Sequence, residues 1–397
     1  MKELISKSDL IIASVHFPHK REVQGNLNQQ WRMNGIFGSR GVGKTTLMLQ
    51  MLQGLKRKGK EVLFVRLDDF YFVENLLYDL ADEWRKQGGE YLYIDEVHKY
   101  PGWSRELKNI YDSMPAMKMV FSGSSIIGLS KNEADLSRRA LMYLMPGLSF
   151  REYLILSDVA EFPSYSLETI FENHNSLAIE ISTKIPVLKF FREYIRSGFY
   201  PFFLEKERNY LLTLEQVIMT ILEVDFLYME QFDSTKSRHI LTLLKIVTAS
   251  APFIPNITKI SERTGLHRHT VLLYLQYLEK AGLIRQLNYP DKGISRLQKP
   301  DKISLDNPNL FYALNPEEIN TGSVRESFAV SQLSVNHSIS LHKTADFLVD
   351  DKYIIEIGGK GKGREQIKGI ENSYIFSDDL EVGHRNRIPL WMLGFLY

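Results

Sequence analysis

The sequence predicts an α/β protein whose N-terminal part is a parallel β-sheet flanked by helices. Two observations predict this fold class. Short apolar segments of strand length alternate along residues 1–155 with amphipathic stretches of helix length, and parallel strands need such crossover helices because they all run in one direction. In addition, the apolar segment 35–37 leads through a glycine-rich turn into a helical pattern at 45–55. We therefore expect a ligand-binding turn at the carboxyl end of one strand.

Composition limits the class of protein. The chain of 397 residues is long enough for two to four domains of about 150 residues, and its 44% hydrophobic and 24% charged residues are typical of a globular protein. The formal net charge of +1 excludes a field over the whole molecule that would draw it to nucleic acid or to an acidic membrane. The sequence contains no cysteine, which excludes disulfides and favours a reducing compartment, so we expect a cytoplasmic location.

The sequence predicts no membrane partner. No segment reaches the roughly 18 consecutive apolar residues that a membrane span requires. The short apolar run at 10–15 follows Asp9 and precedes no cleavage pattern, so we do not interpret it as a signal peptide. We find no internal repeat and no low-complexity tract.

The glycine-rich turn has the pattern G-x-x-x-x-G-K-T of a phosphate-binding loop (P-loop). In such a loop, backbone N–H groups point inward and the following helix presents its positive end to phosphates. Lys44 is expected to neutralise the β- and γ-phosphates, and the Thr45 hydroxyl is expected to ligate Mg²⁺. The predicted cofactors are therefore ATP and Mg²⁺. The predicted binding residues are Gly38, Ser39, Arg40, Gly41, Val42, Gly43, Lys44, Thr45 and Thr46.

A second motif is the apolar strand pattern at 90–96, which ends in Asp95 and Glu96. Asp95 is expected to hold the Mg²⁺ shell, and Glu96 to polarise the attacking water. Adjacent carboxylates at a strand end are also common as solvated caps, but the preceding phosphate-binding loop favours catalysis.

Two further strand patterns lie at 61–67 and 117–121. The second leads into Ser122 and Ser124, which are candidate sensors of the γ-phosphate because ligands bind at the carboxyl ends of parallel strands. The alternative is that these small residues only turn the chain. Arg138 and Arg139 precede another short strand pattern, and Arg139 is our candidate for stabilising transition-state charge, in its own chain or across a homo-oligomer. A solvated basic pair is the alternative.

A family resemblance rests on several segments in one order. They are GSRGVGKTT, YLYIDEVHKYPGW, VFSGSS, SRRALMYLMPGLSFREYL, SGFYPFF and ILEVDF. In this order they resemble the prokaryotic AAA-type P-loop ATPases that carry a C-terminal domain of unknown function, over most of the chain. The resemblance implies an ATPase core of the additional-strand type and supports a role for the arginine pair. AAA-type proteins often have asparagine at the sensor strand, where this sequence has serines. The residues that match the nucleotide-site motifs are Lys44, Thr45, Asp95 and Glu96.

Two helical segments follow. Residues 156–245 are expected to form a lid bundle, and the aromatic residues between 190 and 200 are interpreted as its core. Residues 246–305 predict a winged helix-turn-helix, because a short helix at 257–264, a turn at Gly265 and a second helix at 267–281 precede an alternating pattern typical of a β-hairpin.

The winged-helix segment is locally basic although the whole chain is neutral. His267, Arg268, His269 and Thr270 begin the helix that would meet a DNA groove. We therefore expect sequence-tolerant binding of duplex DNA through residues 257–299, mostly to phosphates. The alternative is a protein partner. The basic residues are Lys259, Arg263, Arg268, Lys280, Arg285, Lys292, Arg296 and Lys299, against Glu262, Glu279 and Asp291.

Residues 306–397 predict a restriction-endonuclease-like α/β domain. The pattern is a helix at 323–333, strands near 338–342, 345–349 and 353–357, a helix at 364–371, and strands near 374 and 392. Asp346 and Glu356 are candidate ligands of a second Mg²⁺, with Glu326 on the first helix.

The lysine spacing of this domain argues against an active nuclease. The usual E-x-K spacing is lengthened here by two residues, to Lys360, and the glycines at 358 and 359 with Lys360, Lys362 and Arg364 are an alternative anion site. We favour an inactive remnant that scaffolds or binds nucleic acid.

The complete prediction is an α/β protein with four segments: a P-loop NTPase parallel sheet (1–155), a helical lid (156–245), a winged-helix domain (246–305) and a C-terminal nuclease-like α/β domain (306–397). We expect an ATPase that couples nucleotide state to DNA binding. Two other classes stay open at this point, a nucleotide-gated switch with a protein partner and a nuclease effector regulated by ATP.

Overall fold

The computed structural model divides the chain into two compact units. Residues 1–146 and 224–232 form the first unit, and residues 147–223 and 233–397 form the second. The four segment boundaries given above remain predictions. The structure describes residues 1–16, 19–28, 30–124, 136–205, 209–228, 234–249, 254–290, 299–363 and 365–397.

The first unit is built on a parallel β-sheet. In the described residues its strands lie in the order β2-β3-β4-β1-β5, and every neighbouring pair is parallel. The strands are β1 (Met33–Gly38), β2 (Val62–Arg66), β3 (Tyr91–Asp95), β4 (Lys118–Ser124) and β5 (Leu141–Leu144). Strand β4 therefore separates the strand before the phosphate-binding loop from the strand that ends at Asp95. This is the additional-strand order, and the predicted P-loop NTPase fold is confirmed for this unit.

Helices cover the sheet with their apolar faces. They are α1 (Lys2–Ala13), α2 (Val23–Asn26), α3 (Lys44–Arg57), α4 (Tyr71–Glu74), α5 (Leu77–Lys86) and α6 (Trp103–Ser113). On α5 the buried residues Leu77, Leu80, Ala81 and Trp84 recur at the spacing of one helical face. The Phe121 ring on β4 contacts Phe37 on β1 and Trp103 on α6, with centroids 5.9 and 5.8 Å apart. Burial of these faces holds the sheet and its helices together.

The second unit contains helices, a two-stranded sheet and a mixed sheet. The helices are α7 (Phe150–Leu156), α8 (Leu167–Lys184), α9 (Val187–Ser197), α10 (Tyr210–Glu223), α11 (Ser234–Ala249), α12 (Ile257–Thr264), α13 (Arg268–Lys280), α14 (Asn309–Leu314) and α15 (Thr321–Leu333). The strands are β6 (Ile284–Leu287), β7 (Lys302–Leu305), β8 (Ile339–Leu341), β9 (Phe347–Val349), β10 (Tyr353–Gly358), β11 (Ser373–Ser377) and β12 (Arg387–Pro389). Strands β6 and β7 pair antiparallel. None of the helices in the described part of the chain is long and apolar enough to span a membrane.

The mixed sheet has the order β12-β11-β10-β9-β8. Strand β10 is parallel to β11, and β11 to β12, whereas β9 pairs antiparallel with both β8 and β10. The sequence correctly predicted helix α15 and strands β8 to β11.

Two predicted elements of this region are wrong. The helix expected at 364–371 is a short 3-10 turn, Glu365–Ile367, because glycines at 361, 363 and 369 leave too few residues to nucleate a helix. The strand expected near 392 is a 3-10 helix, Leu390–Phe395, and the strand itself is β12 just before it. A short, fully buried apolar run does not distinguish a strand from a helix by its periodicity.

Of the aromatic residues predicted as core, Phe191, Tyr194, Phe199 and Tyr200 are buried, whereas Phe190 is half-buried. Tyr194 is fully buried, and its ring lies 5.6 Å from the ring of Phe150 and 6.0 Å from that of Phe328. Phe150 also packs on Phe395, with centroids 5.9 Å apart. These rings join α7, α9, α15 and the final 3-10 helix.

Asn309, fully buried at the start of α14, ties α14 to the end of α9. Its amide nitrogen donates to the carbonyl oxygens of Tyr194 (3.0 Å) and Ile195 (2.7 Å), and its Oδ1 accepts from the Phe199 N–H (2.8 Å). The Ile195 carbonyl is near the helix end, where carbonyl groups lack intrahelical partners, whereas the Tyr194 carbonyl also accepts from the Gly198 N–H at 2.8 Å.

We expect Asn309→Ala to destabilise the second unit by about 2–4 kcal/mol, because it removes the side-chain partners of the Ile195 carbonyl and the Phe199 N–H. Denaturant unfolding measures the change, and Asn173→Ala at an exposed position of α8 is the control, with an expected change below about 0.5 kcal/mol. Equal stability of the two variants would contradict this role of Asn309.

Candidate nucleotide site

The phosphate-binding loop runs from the end of β1 to the start of α3, and its backbone requires glycine. Gly41 and Gly43 have φ angles of 87° and 96°, in the left-handed region that glycine adopts without strain. A Cβ atom at Gly38 would lie 2.4 Å from the carbonyl oxygen of Met145. The motif glycines are therefore explained by the loop geometry.

Lys44 lies buried in the first turn of α3. Its Nζ donates to the carbonyl oxygens of Gly38 (2.8 Å) and Ser39 (2.9 Å). Burial lowers the pKa of Lys44, while the nearby carboxylates of Glu96 and Asp95 raise it. The ammonium is thus held over the loop by neutral acceptors, which phosphate oxygens can replace with stronger, charge-assisted bonds.

Asp95 joins three segments of the site. It is only 1% exposed, its Oδ2 accepts from the Thr45 hydroxyl at 2.6 Å, and its Oδ1 accepts from the Ser122 hydroxyl. Burial raises the pKa of Asp95, and the charge of Glu96 raises it further. A buried carboxylate beside a hydroxyl is an oxygen donor set that suits Mg²⁺, so these residues fit the ion that the sequence predicts.

Glu96 follows directly, in the left-handed region with a φ of 57°. Its Oε2 lies 3.1 Å from Lys99 Nζ and 3.5 Å from His98 Nε2. Burial raises the pKa of Glu96, but the charges of His98, Lys99 and Lys44 outweigh burial, so the pKa lies below its ordinary value. The sequence did not identify Lys99, although its position three residues after Glu96 was a signal for an ion pair.

Asp225 is a second residue that the sequence analysis missed. It begins a short 3-10 helix, Asp225–Tyr228, that belongs to the first unit. Its Oδ1 lies 2.9 Å from Arg40 Nη1 of the phosphate-binding loop, and its side chain is 1% exposed. Burial raises the pKa of Asp225, and Arg40 lowers it. Only the ILEVDF segment pointed to this position, and no spacing connects it with the loop.

The structure places the remaining loop and sensor residues as follows. Ser39, Arg40 and Thr46 are half-buried around the loop, and Val42 is buried. Ser124 is buried at the end of β4, and its N–H lies 3.5 Å from His98 Nδ1. Their roles toward a nucleotide remain predictions.

Arg139 does not reach this site in its own chain. Its guanidinium forms two hydrogen bonds with Asp112 near the end of α6, at 2.8 and 2.9 Å. Leu141, two residues later, pairs with Asn34 at the start of β1, so Arg139 lies at the amino ends of the strands, opposite to the loop. The predicted role within one chain is therefore wrong, and a role toward a neighbouring copy remains a prediction.

The basic residues of the second unit fall into three groups. His267, Arg268 and His269 are exposed at the start of α13, while Val271 and Leu275 on the same helix are buried. Arg285 does not belong to an open basic surface, because its Nε lies 2.8 Å from the buried carboxylate of Asp306. Within the predicted winged-helix segment, the exposed basic residues are Lys259, Arg263, Arg268, Lys280 and Lys299. Asp291, Lys292 and Arg296 lie outside the described residues.

The carboxylates of the C-terminal region are brought together with lysines. Glu326 Oε2 lies 2.5 Å from Lys302 Nζ, Asp346 Oδ2 accepts from the Ile357 N–H at 2.7 Å, and Glu356 forms an ion pair with Lys362. Burial raises the pKa values of Glu326 and Glu356. In the part of the chain that the structure describes, no group of three or more His, Cys, Asp or Glu residues is arranged to hold a metal ion.

The lysine that pairs with Glu356 is Lys362, whereas the sequence analysis considered only Lys360 for this position, at a spacing that already argued against an active nuclease. A Cβ at Gly358 would lie 2.5 Å from Cβ and Cγ of Lys362, so Lys362 folds back over the space that a side chain at 358 would need. The E-x-K spacing could not reveal this contact, because it depends on the turn after β10. Arg364, also named for an anion site, lies outside the described residues.

We expect Lys362→Met to destabilise the second unit by about 1–3 kcal/mol. The substitution leaves the carboxylate of Glu356, 1% exposed, without its cation, and the partial exposure of Lys362 reduces the cost of a fully buried pair. Denaturant unfolding measures this change in the free energy of unfolding, and Lys360→Met is the matched control. Equal losses in both variants would show that the pair contributes nothing.

Comparison with protein families gives two matches. Residues 30–154 match the model of an AAA domain, and residues 188–319 match a domain of unknown function, DUF8612. The chain is also 26% identical over 403 residues to the uncharacterized protein MJ1637 of Methanocaldococcus jannaschii, covering 91% of this chain and 84% of that protein.

Several solved structures share weak similarity with this chain. The ORC1 protein of Aeropyrum pernix in complex with DNA is 13% identical with a TM-score of 0.35, over 78% of this chain and 97% of that chain. AMPPCP-bound DnaA from Aquifex aeolicus is 17% identical with a TM-score of 0.26, over 70% of this chain and 88% of that chain. Similarity this low carries no information about what this chain binds. The site residues from Lys44 to Glu96 thus lie in a segment that is similar to an AAA domain, which supports the class of P-loop ATPase.

Proposed function

We propose that this protein binds ATP with Mg²⁺ at the phosphate-binding loop and hydrolyses it. One observation carries this proposal: the end of β3 presents a buried carboxylate, Asp95, that is hydrogen-bonded to the first turn of α3 through Thr45, with Glu96 beside it. Phosphoryl transfer to water requires a cation, a hydroxyl, a metal-binding carboxylate and a second carboxylate.

Each group has one role in this scheme. The loop N–H groups and Lys44 hold the β- and γ-phosphates. Thr45 and Asp95 would hold Mg²⁺, which neutralises charge on the transferred phosphoryl group. Glu96 orients the attacking water and accepts its proton. Ser122 donates a hydrogen bond to Asp95 and keeps that carboxylate oriented. Because Ser122 belongs to β4, a change at the γ-phosphate would be transmitted to β4 through this residue.

We expect Glu96→Gln to lower the kcat of ATP hydrolysis by about 10²–10⁴-fold while nucleotide binding persists, because the amide cannot accept the proton. Lys44→Ala is expected to weaken nucleotide binding itself, since it removes the cation from the phosphates. Steady-state hydrolysis and titration with a fluorescent ATP analogue separate the two effects.

Lys60→Ala is the control, because Lys60 forms an exposed ion pair with Glu90, and its kinetics should equal those of the natural protein. Undiminished turnover in the Glu96→Gln protein would remove Glu96 from the mechanism. Tight binding without turnover in the natural protein would favour a nucleotide-gated switch.

We further propose that the segment from α11 to β7 is a winged helix that binds duplex DNA. Three helices followed by an antiparallel strand pair are the elements of that motif. The exposed His267, Arg268 and His269 at the start of α13 support the proposal, because the N-terminal residues of a recognition helix contact DNA. The formal charge of the whole chain is +1, so the attraction must come from this local cluster.

We expect the affinity for duplex DNA to fall with salt, and the combined change Lys259→Ala and Arg268→Ala to weaken it at every salt concentration. Each phosphate contact that is lost should make the slope of log K against log salt shallower by about 0.9. Mobility-shift titrations between about 50 and 200 mM salt measure the slope.

Lys184→Ala on α8, which removes an exposed cation of the same unit, is the control and should leave the slope unchanged. Absence of any shift at the lowest salt concentration would favour a protein partner instead of DNA.

A further inference from the structure

We propose that Lys99 is a positioning residue that holds the Glu96 carboxylate in place for hydrolysis, and that Asp68 anchors Lys99 from the end of the neighbouring strand. The inference rests on the proposed ATPase function. It assigns a task to Lys99 and Asp68, to which the sequence analysis gave no role.

The three side chains form one connected ion-pair group at the carboxyl ends of β2 and β3. Lys99 Nζ lies 3.1 Å from Glu96 Oε2 and 2.9 Å from Asp68 Oδ2. The two strands are in parallel register, with Arg66 of β2 beside Asp95 of β3. Asp68 and Glu96 therefore follow neighbouring strand ends, and Lys99 bridges them.

The backbone places Lys99 accurately for this contact. The chain turns at Glu96, where φ is positive, and continues as a short 3-10 helix, Val97–Lys99. The Lys99 N–H donates to the carbonyl oxygen of Glu96 at 3.0 Å. The cation and the carboxylate are thus held on the same turn, which limits the conformational entropy lost when they pair.

The contacts on Glu96 are asymmetric. Lys99 and His98 both face Oε2, and in the described residues no ion pair is formed with Oε1. The terminal torsion of a glutamate is otherwise broadly distributed. Fixing one oxygen therefore fixes the direction of the other, and a group that activates water must lie within hydrogen-bond reach of it.

The environment of Lys99 distinguishes this contact from an ordinary surface ion pair. The Lys99 side chain is 11% exposed, whereas Lys60 and Glu90 form a pair on the same unit with side chains 42% and 45% exposed. Exposed pairs are screened by water and contribute little. The half-buried contact of Lys99 can hold the carboxylate in one geometry, and the exposed Lys60 pair provides a matched comparison.

The test measures kcat and nucleotide Kd separately for the full-length variants. Lys99→Met is expected to lower kcat about 10–100-fold, the scale of a misplaced catalytic group, with the ATP Kd changed less than about threefold. Lys99→Arg should recover most of the rate because the cation returns. Asp68→Asn should lower kcat by a smaller factor, and Lys60→Met should leave it unchanged.

A double variant shows whether Lys99 acts through Glu96. In a Glu96→Gln background, single-turnover hydrolysis should not fall further when Lys99→Met is added, because residues that act as a unit are not additive. An equal fall in both backgrounds would overturn the proposal, as would an unchanged kcat in Lys99→Met or a loss of nucleotide affinity alone.

Two results separate this inference from the proposed function. Turnover that depends on Glu96 but not on Lys99 rejects only the inference. No turnover in the natural protein, or turnover independent of Glu96, rejects the ATPase mechanism and the inference with it. If Lys99→Met does not fold, as judged by thermal unfolding, Asp68→Asn decides the question, because it leaves Lys99 in place and an unchanged rate there rejects the anchoring.

Discussion

The hydrogen-bonded carboxylate of Asp95 is the constraint on which the nucleotide site depends. It accepts one hydrogen bond from the first turn of α3 and another from the end of β4. A single side chain at the end of β3 therefore joins β3 to β4 and to the helix after the loop. Because burial makes an unpaired carboxylate costly, these bonds also define which rotamers Thr45 and Ser122 adopt. The parallel order of the sheet brings all three segments to one edge.

Around that carboxylate, Lys44, Arg40 and Lys99 each have a carbonyl or carboxylate partner. Lys44 is held by loop carbonyls, Arg40 by Asp225, and Lys99 by Glu96 together with Asp68. Such pairing stabilises a half-buried cluster of charges without a ligand. It also means that a polyphosphate would replace existing acceptors and would change the balance of charge around Arg40 and Asp225. The segment that contains Asp225 lies between α10 and α11 in the chain.

Pairing of buried charges also determines side-chain positions in the second unit. Its buried carboxylates each have a hydrogen-bond donor or a lysine partner, which explains the fold-back of Lys362 over Gly358 and the pairing of Arg285 with Asp306. The positive charges of the basic side chains in these ion pairs are therefore balanced within the unit. In the proposed winged helix, the exposed basic residues lie on α12, on α13 and just before β7, and they form the proposed DNA-binding surface.

The sequence by itself determined the local features: the phosphate-binding loop, the strand that ends in Asp95 and Glu96, the helical faces, and helix α15 with strands β8 to β11 of the second unit. These follow from spacing and periodicity, which depend on neighbouring residues only. The tertiary structure alone decided the partners of Arg40, Glu356 and Arg139 and the pairing of Lys99 with Asp68. Arg40 and Asp225 are 185 residues apart in the chain, and a contact over such a distance arises only when the fold brings strand ends and connecting turns together. The same reason explains the wrong expectation for Arg139, since the sequence could not show which edge of the sheet it would occupy.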